Sequence, residues 1–156
     1  MIFMLTLEAY EKDVFAQPKF LDTFHTQKFL PKAQQKNMIF SGTGDSFVSA
    51  MLAEVFSNYT VKSFDPLDLL KNKTITKNKT IYLVSVSGNT ISNIKVAKMT
   101  KTSIAITSNP KSRLANMCNK LILLNFPNSN VFTAGSISFL ESALTCISLV
   151  APISIP

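Results

Sequence analysis

The sequence predicts an α/β three-layer sandwich with a five-stranded parallel sheet and a helical cap at its N-terminus. Five short runs rich in Ile, Val and Leu recur from residue 37 onward. They are continuously apolar rather than alternating, as in parallel strands covered on both faces. Helical stretches separate them, and strand alternating with helix is the pattern of a parallel sheet. At 156 residues the chain has the length of one ordinary domain, able to bury a core without disulfides or metals.

Residues 5–17 and 18–30 read as two short helices, with Pro18 at the start of the second and Pro31 ending it. They make a cap over residues 1–36, followed by a single unit over residues 37–156. The strand runs are 37–41 (NMIFS), 60–65, 79–85, 102–107 (TSIAIT) and 120–125 (KLILLN). After the first run, Phe47, Met51, Val55 and Val48, Leu52, Phe56 form two adjacent i, i+4 rows, a face expected to pack on the sheet. Ile91, Ile94 and Ala97 repeat the pattern while Lys95 and Lys98 point outward. Asp65-Pro66 starts a short helix, and Pro110 is placed to open another. The apolar segment 131–155 carries Glu141 at its centre, several hydroxyls and Pro152, so it reads as a core or interface helix rather than a membrane span.

A formal charge of +7 would suit an anionic partner. The densest basic stretch, Lys71 to Lys79, has no Arg and no stacking aromatics, so it reads as a solvated loop and not a nucleic-acid surface. Cys118 and Cys146 lie far apart without metal-ligand spacing, which fits two reduced thiols in a cytoplasmic protein with no metal or cofactor. The start, MIFMLTLEAYEK, meets Glu8 too early for a secretory signal. The abrupt apolar ending over residues 151–156 reads as though more chain followed, as in the first half of a two-domain protein.

Two polar loops carry the functional signal. The first strand ends in Ser41-Gly42-Thr43-Gly44-Asp45-Ser46, and the third in Ser85-Val86-Ser87-Gly88-Asn89-Thr90. Both stand at strand carboxyl ends, where ligands bind in open α/β sheets. Glycine lets the backbone approach a ligand closely, and the helix that follows offers free N–H groups and a positive dipole end. Hydroxyls add neutral donors for a phosphate. Helix capping explains one Ser or Thr, but not Ser85, Ser87 and Thr90 together. No Lys follows the first loop's glycines, which excludes a P-loop, and Phe47 stands where a dinucleotide fingerprint has its third glycine.

These residues resemble the sugar isomerase (SIS) domain family, the phosphosugar-binding module of glucosamine-fructose-6-phosphate aminotransferase and hexulose-6-phosphate isomerase. Gly42 to Ser46 is similar to the family's G-x-G-x-S loop, and Ser85 to Thr90 to its S-x-S-G-[NE]-T loop. Residues 105–115 add a weaker likeness through Thr107, Ser112, Leu114 and Ala115. The resemblance covers about residues 37 to 150. It implies a phosphorylated sugar as ligand, held by Gly42, Thr43, Gly44, Ser46, Ser85, Ser87, Gly88, Asn89 and Thr90. It also implies a homodimer or higher homo-oligomer, and an aldose–ketose isomerase or the isomerase half of an aminosugar-phosphate enzyme. A non-catalytic phosphosugar-sensing module is the alternative, and a flavodoxin-like flavin binder a third reading.

The chemistry is less legible. Isomerisation through an enediol needs a base, commonly a Glu. The family pattern G-S-x-F-E has no acid at its counterpart here, Gly135-Ser136-Ile137-Ser138-Phe139. Glu141 stands two residues later, about 200° around a helix axis. Glu141, Glu54 and His25 remain the candidate catalytic groups, with a second domain or subunit as the other source of the acid.

Overall fold

In the computed structural model, which describes residues 2–127, 131 and 135–154, the five apolar runs form five strands. They are β1 (Met38–Ser41), β2 (Lys62–Phe64), β3 (Thr80–Val84), β4 (Thr102–Thr107) and β5 (Lys120–Leu123). All neighbours pair in parallel, in the spatial order β2-β1-β3-β4-β5. The helices are α1 (Ile2–Thr23), α2 (Lys32–Gln35), α3 (Asp45–Phe56), α4 (Pro66–Lys71), α5 (Ile91–Met99), α6 (Arg113–Met117) and α7 (Ile137–Val150).

Strand alternation splits the core into two layers. Met38 and Phe40 of β1 with Tyr82 and Val84 of β3 face α3 and α7. Phe40 stacks on Tyr82 at 4.8 Å between ring centroids. Ile39, Ile81, Leu83 and Ala105 point the other way, toward α5 and α6. Burial on both faces holds for β1, β3 and β4 but fails at the edge, where Leu121 and Leu123 of β5 remain exposed.

Three local expectations are corrected. Residues 2–23 form one helix that runs through Pro18. Pro18 lies opposite the buried Ala9 and Phe20, on the solvent side, where a helix tolerates a lost hydrogen bond best. Residues 24–30 are not helical, and Pro31 is the N-cap of α2 rather than the end of a helix. On α3 the residues against the sheet and α7 are small, Ser49, Ala50 and Ala53. Small side chains let that helix approach closely, so Val48, Met51, Val55 and Phe56 stay 44–50% exposed and only Phe47 of the predicted rows packs on the core. Pro110 sits in a turn, and α6 begins at Arg113 with the Ser112 hydroxyl accepting from the Ala115 N–H. On α5, Ile94 and Ala97 are buried as predicted, but Ile91 is exposed.

The N-terminal segment is tied to α7. Leu30 N–H donates to the Leu149 carbonyl at 3.0 Å, and the fully buried Gln35 amide donates to the carbonyls of Leu30 and Val150. Of the apolar stretch 131–155, residues 132–134 and 155 lie outside the described residues. Within the described residues α7 is a largely buried helix, and no helix is long and apolar enough to cross a membrane.

Candidate functional site

Strand order decides where a site can form. From β1 the chain moves outward to β2, then returns to the other side of β1 to lay down β3. The switch point therefore lies between β1 and β3, and the crevice beyond their carboxyl ends is where open α/β sheets bind ligands. The two polar loops follow those two strands.

The loop after β1 turns on two glycines. A side chain at Gly42 would collide with the backbone of Ser46, and Gly44 has φ +59°, a conformation that disfavours any Cβ. Gly44 is also the N-cap of α3, its carbonyl accepting from Phe47 and Val48. The loop after β3 is braced from its neighbour. The Val86 carbonyl accepts from the Ser108 N–H, the Ser108 hydroxyl and the Thr107 hydroxyl, all within 3.0 Å. Asn93, buried in α5, donates to the Val84 carbonyl. Gly88 has φ +66° and packs directly on Ser112, while its carbonyl accepts from the Leu114 N–H. Thr90 occupies the N-cap position of α5 without making a side-chain cap bond. Its hydroxyl pairs instead with that of Ser85, at 2.9 Å. Capping therefore does not account for these hydroxyls.

Between the loops opens a cleft of about 660 Å³, within the range of small-ligand sites. Five of the nine predicted phosphate-binding residues line it: Thr43, Ser46, Ser85, Ser87 and Thr90. Gly42, Gly44 and Gly88 shape the turns, and Asn89 points to solvent with its N–H toward the Ser87 hydroxyl. All four glycines of the chain lie in the segments that bound this cleft, the fourth being Gly135 ahead of α7. Sequence reasoning missed Asp13, Asp45, Ser108, Phe126 and Ser142, which complete the lining from α1, α3, the segments after β4 and β5, and α7. Chain topology, not local pattern, brings them together. Among the described residues no cluster of His, Cys, Asp and Glu could hold a metal.

The three candidate catalytic groups lie outside this lining. Glu54 sits toward the far end of α3, its carboxylate accepting from the Ser63 hydroxyl and N–H and from Lys62 at 3.2 Å. Partial burial pushes its pKa up, but those Ser63 and Lys62 donors outweigh it and hold the group below its ordinary value. His25 is exposed beside Asp22 and Thr26, after the end of α1.

Glu141 is 5% exposed in α7, with Oε1 accepting from the Asn125 N–H at 2.6 Å. It thereby fixes the segment whose Phe126 and Pro127 form one wall of the cleft. Its Oε2 is buried with no hydrogen-bond partner among the described residues. Desolvation raises its pKa above 4.5, offset only in part by the Asn125 N–H. In the window just above 4.5 the folded protein therefore holds more protons here than the unfolded chain does. The associated stability is present below the unfolded value and is lost as pH rises through the folded one. Acidification from neutral pH into that window stabilises the wild type relative to Glu141→Gln. Urea-unfolding free energies of both proteins across the range test this, and a flat difference contradicts it.

No family model matches the sequence, and no curated protein matches it. Solved structures do resemble it in fold. The C-terminal domain of glucosamine-fructose-6-phosphate aminotransferase from Francisella tularensis aligns with a TM-score of 0.68 and 15% identity, over 89% of this chain and 46% of that one. The E. coli CFT073 protein c3406, in complex with arabinose 5-phosphate, aligns at 0.63 and 18% identity over 94% and 84%. The Vibrio vulnificus NanR protein, complexed with ManNAc-6P, aligns at 0.57 and 13% over 94% and 57%. At such identities the likeness establishes the fold, a five-stranded parallel three-layer arrangement of the SIS type.

Proposed function

We propose that this chain binds a phosphorylated sugar in the cleft between the β1 and β3 loops and isomerises it between aldose and ketose forms. The observation that carries the reading is the convergence of Ser46, Ser85, Ser87 and Thr90 on one cleft at the switch point, beside the N-termini of α3 and α5. Neutral hydroxyls and helix N–H groups together suit a phosphate monoester. The fold shared with proteins solved in complex with arabinose 5-phosphate and ManNAc-6P supports the same ligand class.

Melting curves with pentose and hexose phosphates, set against the parent sugars, test the binding step. A phosphosugar at about a hundred times its Kd adds about 2.7 kcal/mol of apparent stability, and the parent sugar is expected to add far less. Equal shifts with both would refute phosphate recognition.

A second reading, a binding module without catalysis, draws support from the absence of Glu54, His25 and Glu141 from the lining. Proton exchange into the sugar carbons in heavy water separates the two. In either case we place the protein in the cytoplasm as a homodimer or homo-oligomer. Val48, Met51, Val55 and Phe56 give α3 an exposed apolar face suited to a second copy, and that helix begins at the cleft. A monomer by light scattering at micromolar concentration would count against it.

A further inference from the structure

We propose that Asp45 is the acid–base residue of this cleft, the group that carries a proton between the two reacting sugar carbons. The inference rests on the phosphosugar reading above and assigns it a catalytic group in this chain. Among the described residues lining the cleft, the only side chains able to take a proton near neutral pH are Asp13 and Asp45; Glu, His, Lys, Tyr and Cys do not occur there. Proton transfer within the cleft therefore falls to one of two carboxylates.

Placement selects Asp45. It stands between Gly44 and Ser46, in the first turn of α3, and so is fixed by the same turn that presents the Ser46 hydroxyl. The positive end of that helix holds a carboxylate there comfortably. The side chain does not fold back on its own loop. Its Oδ2 lies against the backbone of Gly135, just ahead of α7, where any Cβ would collide with it. Gly135, a non-catalytic position, is thus small because the carboxylate crosses to that wall. The phosphate cradle occupies the β3 side of the cleft, so Asp45 reaches the part of the ligand beyond the phosphate. Asp13 enters from α1, which belongs to neither switch-point loop.

The step balances without a cofactor. The Asp45 carboxylate takes the proton on C2 of an open-chain aldose phosphate, breaking the C–H bond. Its electron pair forms the C1–C2 double bond, and the carbonyl pair moves to O1. The O2 hydroxyl proton passes to O1, the C2 carbonyl forms, and Asp45 returns its proton to C1. Held in a cleft, such a carboxylate contributes roughly 10²–10⁴-fold to the rate.

The test incubates the full chain with arabinose 5-phosphate, ribose 5-phosphate, fructose 6-phosphate and glucosamine 6-phosphate in heavy water. Binding is followed by calorimetry, and deuterium at C1 and C2 by NMR. The expected result is exchange by the wild type with at least one ligand it binds, and a loss of about 10²-fold or more in Asp45→Asn, which still binds that ligand. Asp45→Glu recovers part of the exchange, and Asp13→Asn keeps the wild-type pH profile. Binding without exchange in the wild type overturns the proposal and leaves the phosphosugar reading standing. Exchange that survives Asp45→Asn, or is lost only in Asp13→Asn, overturns it as well. No binding of any of the four by the wild type removes the reading beneath it.

Discussion

Replacing Gly88 by Ala lowers the melting temperature by roughly 6–12 °C and abolishes measurable phosphosugar binding. Gly88 has φ +66°, and a left-handed conformation costs an ordinary residue about 1–2 kcal/mol. The added methyl also lands on the Ser112 side chain and close to the Thr107 hydroxyl. Ser112 caps α6 and Thr107 braces the Val86 carbonyl, so neither moves without breaking a bond of its own. Overpacking of this kind costs about 1–3 kcal/mol. The combined loss of about 3 kcal/mol corresponds to that shift at this chain length. Calorimetric melting and a ligand titration measure both parts. An unchanged melting temperature would mean that the turn is looser than its contacts imply.

The double substitution Ser87→Ala with Thr90→Ala weakens phosphosugar affinity by about 10²-fold or more while the fold survives. Each hydroxyl removed takes away a donor to a charged oxygen, worth about 1.5–3 kcal/mol. The fold has little stake in either group. Ser87 is exposed and its hydroxyl only accepts from the Asn89 N–H at 3.3 Å, and Thr90 pairs only with Ser85. Titration calorimetry on a protein with native circular dichroism checks the prediction. Unchanged affinity would detach the phosphate from this loop. Loss of the fold would instead show that the Ser85 to Thr90 contact is structural.

How much of this was legible beforehand varied with the physics behind each feature. The three central strands are buried on both faces, so their apolar runs needed no partner to be recognised. The edge strand β5 carries a similar run, KLILLN, yet stays partly exposed, because its neighbours on one side are missing. The inward face of α3 misled for another reason. Periodicity ranks large apolar side chains first, whereas close helix packing against the sheet and α7 selected Ser49, Ala50 and Ala53. Pro18 misled because a proline at a helix start and one on the solvent side of a long helix look alike in one dimension.

The same division runs through the site. Glycines with positive φ, hydroxyls crowded after a strand and a helix directly behind them are local requirements of a turn that presents N–H groups, so the loops at Gly42–Ser46 and Ser85–Thr90 announced themselves in the sequence. What those loops face was set by strand order, which placed β3 beside β1 and brought α1, α7 and the β5 segment over one cleft. Asp45 sat unremarked inside a quoted motif because a carboxylate in a helix's first turn is ordinary. Only the packing of its oxygen against Gly135, far away in sequence, gives it a direction. Chemistry confined to a short turn can be read along the chain, while chemistry that depends on which distant segments meet is decided by the folded arrangement alone.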